Sequence, residues 1–68
     1  MDQETFNLSV RKFLKTVGVN SQREIEQAVA KAIADGTIGG TETLAATMTL
    51  QIGKLQLNVP FDGDIQLQ

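Results

Sequence analysis

The sequence contains no cysteine, histidine, tryptophan or tyrosine. Without cysteine there is neither a disulfide framework nor a thiol nucleophile, and without cysteine and histidine the usual structural zinc sites cannot be built. Without histidine no side chain has an ordinary pKa near neutrality, so acid–base chemistry would fall to the carboxylates. No uninterrupted apolar run exceeds three residues, as at 28–30, against the ~20 that a membrane-spanning helix requires. Met1 to Thr5 are acidic and lack the basic start and apolar block of a secretion signal. These absences lead to the expectation of a soluble, cytoplasmic protein with no membrane segment, no metal and no cofactor.

At 68 residues the chain is expected to be a single domain, because a second core could not be filled. Small domains commonly make up a thin stability margin with disulfides or zinc, and neither is open to this one. Stability must then come from packing of Ile, Leu, Val, Phe and Met side chains, or from association that buries the same surface between chains.

The hydrophobic period changes from about 3.6 in the first half of the chain to about 2 in the second. Phe6, Val10, Phe13, Leu14 and Val17 fall on one helical stripe behind Asp2, a candidate N-cap. Gly18 is placed to close that helix in a left-handed conformation. Ser21-Gln22-Arg23-Glu24 reads as a capping box for a second helix, whose stripe is Ile25, Ala28, Val29, Ala32 and Ile33 and whose stop is Gly36.

Residues 37–43, with Gly39-Gly40, read as a connector. Beyond it Leu44, Ala46, Met48, Leu50 and Ile52 alternate with smaller or polar residues, as do Leu55, Leu57, Val59 and Phe61. A two-residue Gly53-Lys54 turn would set Ile52 opposite Leu55, Leu50 opposite Leu57, Met48 opposite Val59 and Ala46 opposite Phe61. Asp62-Gly63-Asp64 suggests a second turn that returns Ile65 and Leu67 along the sheet, with Pro60 as a complication because it cannot donate to a ladder. The expected fold is α+β: two N-terminal helices, near 3–17 and 22–35, packed on one face of a C-terminal antiparallel β-hairpin or three-stranded meander, with strands near 45–52, 55–61 and 65–67.

The residues suggest no catalysis. Asp2, Glu4 and Glu24 sit at expected helix starts, where the macrodipole favours negative charge, and Asp62 and Asp64 sit in an expected turn. The Asp62-Gly63-Asp64 triplet lacks the twelve-residue spacing of a calcium loop, and Gly36, Gly39 and Gly40 lack the Gly-Lys-Ser/Thr of a phosphate loop. The protein is therefore expected not to be an enzyme.

Two short helices joined at Gly18 raise the alternative of a helix-turn-helix-like nucleic-acid-binding protein. That motif wants a small residue four before the turn glycine and an apolar one six after it, where Leu14 and Glu24 stand. The second helix also offers Arg23 and Lys31 against Glu24, Glu26 and Asp35, a poor match to phosphate. Nucleic acid is not the expected partner. A protein-interaction module, self-associating as a homodimer or docking on an unidentified protein, is favoured instead. Its candidate surface comprises Leu8, which lies outside the apolar stripe, with Arg11 and Lys15 beside it, and Ala30 and Ala34, small enough to let another helix approach.

The stretch from Phe6 to Val19, Phe-Asn-Leu-Ser-Val-Arg-Lys-Phe-Leu-Lys-Thr-Val-Gly-Val, continuing with Ser21-Gln22-Arg23-Glu24-Ile25-Glu26, resembles a family of uncharacterised bacterial proteins of about this length. The likeness extends to Ala46-Thr47-Met48-Thr49-Leu50 and Phe61-Asp62-Gly63. The resemblance implies a complete natural bacterial protein. It supplies no activity and no site residues.

Overall fold

The computed structural model describes all 68 residues. In chain order they form one helix, α1 (Gln3–Ala34), and two strands, β1 (Thr43–Ile52) and β2 (Leu57–Gln66), with a single 3-10 turn at Gly53–Leu55 between the strands. Two compact units result, Met1–Thr37 and Ile38–Gln68. The class is α+β, but the expected pair of helices and the three-stranded meander are both absent.

The first unit is a helix of 32 residues, a rod of about 48 Å at 1.5 Å per residue. It begins where expected. The Asp2 carboxylate accepts from the backbone N–H of Glu4 at 3.0 Å and of Thr5 at 3.4 Å, and the Thr5 hydroxyl donates to it at 2.8 Å. Two donors that a helix start leaves without partners are thereby satisfied. Those bonds hold the Asp2 carboxyl below its ordinary pKa, the Thr5 hydroxyl contributing most.

The helix does not end at Gly18. That residue is not among those with positive φ, and a Cβ built on it would meet nothing within 4 Å. A mid-helix glycine costs about 1 kcal/mol. A break would instead leave the terminal N–H and C=O groups of two helix ends to be satisfied across three residues. The smaller cost wins, so Ser21 and Glu24 are interior helical residues and the capping box is not formed. With the turn gone, so is the geometry on which the helix-turn-helix alternative depended.

At Gly36 the competition comes out the other way. Its φ is 80°, its N–H donates to the Ile33 carbonyl at 3.2 Å, and the Thr37 N–H reaches back to the Ala32 carbonyl at 2.8 Å. This pair of bonds is the Schellman closure. Asp35 reinforces it by accepting from both the N–H and the hydroxyl of Thr37, at 3.2 and 2.6 Å. Beyond it come Ile38 and the Gly39-Gly40 pair, residues that add little to a helix.

The second unit is the antiparallel hairpin, correctly expected, in a different register. Leu44 pairs with Ile65, Met48 with Phe61, Leu50 with Val59 and Ile52 with Leu57. The expected opposition of Met48 to Val59 and of Leu50 to Leu57 is therefore wrong by two residues along β2. The loop explains the shift. Gly53–Leu55 form the 3-10 turn and Gln56 closes it with φ 50°, its N–H donating to the Gly53 carbonyl at 3.1 Å, so four residues turn the chain where two were expected. Leu55 is thereby a loop residue and 69% exposed. Since the slip is an even number of residues, Leu57, Val59 and Phe61 stay on their expected face.

The same shift abolishes the second turn. Asp62, Gly63 and Asp64 lie in β2 opposite Thr47, Ala46 and Ala45, and the Thr47 hydroxyl donates to the Asp62 carboxylate at 2.8 Å across the strands. Ile65 thus pairs with Leu44 within the hairpin's own ladder, and there is no third strand.

Candidate interaction surfaces

Neither unit has a core of its own: within α1 no residue is buried, and within the hairpin neither strand buries one. In α1 the stripe residues Phe6, Phe13 and Leu14 are about half exposed or more. The stripe also winds. At 100° per residue, the first-half set (Phe6, Val10, Phe13, Leu14, Val17) and the second-half set (Ile25, Ala28, Val29, Ala32, Ile33) are offset by roughly 80° around the axis. The apolar pairs Phe6/Val17, Val17/Ala28 and Leu14/Ile25 recur at eleven residues, a repeat that drifts in the right-handed sense.

All five of the surface residues named from sequence lie exposed on α1. The structure brings Leu8, Arg11 and Lys15 together, since they sit at i, i+3 and i+7 on one helical face. It does not bring Ala30 and Ala34 to them. Twenty-two residues of a single rod separate Leu8 from Ala30, about 33 Å. The second helix, on whose outer face Ala30 and Ala34 were expected, does not exist as a separate element.

The hairpin has two unlike faces. Leu44, Ala46, Met48, Leu50 and Ile52 share one with Leu57, Val59, Phe61 and Ile65; Thr43, Thr47, Thr49 and Gln51 share the other with Asn58, Pro60, Asp62 and Asp64. Met48 and Phe61, directly opposed on the apolar face, are 45% and 57% exposed.

The two edges also differ, and the hydrogen-bond phase shows how. The Leu67 N–H donates to the Glu42 carbonyl at 3.2 Å. In an antiparallel ladder bonded and non-bonded pairs alternate, so the bonded pairs continue through 44/65, 46/63, 48/61, 50/59 and 52/57. The odd-numbered residues of β1 therefore direct N–H and C=O away from β2. Pro60, opposite Thr49, falls at a non-bonded pair, so its lack of an N–H spares the internal ladder and affects only the outer edge of β2. The difficulty that Pro60 posed in the sequence disappears. Sequence reading overlooked the β1 edge; the available signal was the absence of any charged residue from 43 to 52.

Chemically the molecule is sparse. No group of three or more His, Cys, Asp or Glu side chains is placed to hold a metal ion, and no helix is long and apolar enough to cross a membrane. Asp2, Asp35, Glu42 and Asp62 all accept hydrogen bonds: Asp2 and Asp35 at the helix ends, Glu42 from the Gly39 N–H, and Asp62 across the strands from Thr47. Over residues 1–68 the chain matches a family of unknown function, DUF6494. No curated protein and no solved structure matches it.

Proposed function

Starting from a chain that belongs to DUF6494, a family of unknown function, we propose that the protein is a small non-enzymatic interaction module that works as a homodimer. The observation that carries this reading is that each unit, taken by itself, bears an apolar face it cannot bury: the stripe of α1 and the Met48/Phe61 face of the hairpin. A lone helix in water is marginal without a partner for its stripe, and a two-stranded hairpin is marginal without a layer on its apolar face. A second copy supplies more apolar surface to both, and symmetry presents the same patch from each chain. The non-enzymatic part rests on the lack of histidine and cysteine and on the structural hydrogen bonds that Asp2, Asp35, Glu42 and Asp62 accept.

Dilution tests this reading through stability. If folding and association are coupled, a hundredfold dilution lowers the stability of the dimer by about 2.7 kcal/mol, and the thermal midpoint falls with it. A midpoint independent of concentration over that range would reject the homodimer.

A further inference from the structure

The two edges of the hairpin are not equivalent as templates for another strand. From the phase established by Leu67 and Glu42, the outward N–H and C=O groups of β1 belong to Thr43, Ala45, Thr47, Thr49 and Gln51, and those of β2 to Asn58, Pro60, Asp62, Asp64 and Gln66. The β2 edge carries the devices that blunt an edge: a proline with no donor, and two carboxylates. The β1 edge carries none of them. Its ten residues, Thr-Leu-Ala-Ala-Thr-Met-Thr-Leu-Gln-Ile, include no charge, no proline and no glycine, and its outward groups are unpaired in a sheet of only two strands.

We infer that β1 pairs antiparallel with β1 of a second copy, joining two hairpins into a four-stranded sheet in the order β2-β1-β1-β2. This rests on the homodimer reading and names the surface that serves it. Charge and hydrogen bonding favour this pairing over the other two. A β2-to-β2 edge would bring four carboxylates from Asp62 and Asp64 together and lose a donor at each Pro60. A β1-to-β2 edge is head-to-tail, meets Pro60 at its middle, and leaves a free edge at each end for further addition. The β1-to-β1 edge is closed by a two-fold axis, brings no charged strand residues together, and offers up to about ten backbone hydrogen bonds, the number typical of a stable interface. With the axis at Thr47, Leu44 of one chain lies opposite Leu50 of the other and Ala46 opposite Met48, so the apolar face runs without a break across all four strands. Four strands also pass the threshold below which an isolated sheet is marginal.

Amide hydrogen exchange on the intact protein reads this directly, alongside sedimentation of two matched variants. The N–H groups of Ala45, Thr47 and Thr49 should exchange at least about tenfold more slowly than those of Asn58, Asp62 and Asp64, which share the outward phase on the blocked edge. Thr49→Pro, which removes an outward donor and leaves the internal ladder intact, should sediment as one chain. Asn58→Pro, which likewise removes an outward donor but on β2, should sediment as two. Exchange at Ala45, Thr47 and Thr49 as fast as at the β2 edge, in a protein that sediments as two chains, would overturn the inference and leave the homodimer standing. A wild-type mass of one chain would overturn both. A mass that climbs beyond two chains with concentration would favour head-to-tail addition and reject the closed pair. Should Thr49→Pro fail to fold, the exchange comparison on the wild-type protein decides alone.

Discussion

Gly18→Ala distinguishes a continuous helix from a broken one by the sign of its effect. In the structure Gly18 is a mid-helix residue without positive φ, and an added Cβ meets no atom within 4 Å. Alanine then gives up no contact and reduces the freedom of the unfolded chain, and the intrinsic difference in helix propensity is worth about 1 kcal/mol in its favour. Were Gly18 a left-handed closing residue, as the sequence suggests, alanine would be strained there and would cost about 1 kcal/mol or more. The two readings differ by about 2 kcal/mol and in sign. Urea denaturation followed by ellipticity at 222 nm measures this, with both proteins at one concentration and their sedimentation masses matched. On a chain of this size a gain of 1 kcal/mol corresponds to a rise of roughly 4–8 °C in thermal midpoint. A loss of stability at unchanged mass would refute the continuous helix.

Gly36→Ala should act in the opposite direction, destabilising by about 1 kcal/mol, because φ of 80° strains an L side chain; equal stability in urea would contradict the Schellman closure. Gln56→Gly should stabilise the hairpin by about 0.5–1 kcal/mol by relieving the positive φ of the loop, and the cross-strand amide protection of Leu50 and Val59 should rise with it. For the helix start, the Asp2 carboxyl has its pKa lowered by the Thr5 and Glu4 bonds, so its contribution is present above the ordinary carboxyl pKa and is lost as pH falls through the depressed one. Ellipticity should accordingly fall on acidification below about pH 4, and less steeply in Asp2→Asn, whose side chain caps without titrating.

The alternation of Leu44 through Ile52 and of Leu57 through Phe61 made the hairpin and its apolar face legible, because a period of two survives any even slip in register. The slip itself was not legible. Gly53-Lys54 has the composition of a tight turn, and nothing in Leu55 or Gln56 declares that they belong to the loop; Gln56 takes up a positive φ that its residue type does not advertise. Asp62-Gly63-Asp64 has turn composition too, yet Thr47 lies opposite Asp62 to bond its carboxylate, a contact that exists only once the register is fixed. For the helix, Gly18 and Gly36 look alike in a sequence. Their C-terminal neighbours separate them: after Gly18 the chain runs, from Gln22 to Ala34, through good helix formers with apolar periodicity, whereas Thr37-Ile38-Gly39-Gly40 comes after Gly36. Among the surface residues, the shared faces of Leu8, Arg11 and Lys15 and of Ala30 and Ala34 follow from local spacing, whereas the distance between the two groups depends on whether a turn forms at Gly18, which local spacing does not determine.

The homodimer is the central functional claim, and sedimentation equilibrium of the wild-type chain at tens to hundreds of micromolar tests it most directly. A mass of two chains across that range, approaching one only on dilution, is the predicted result. A mass of one chain of 7.4 kDa at the highest concentration, with the helix and hairpin signals intact, would contradict it.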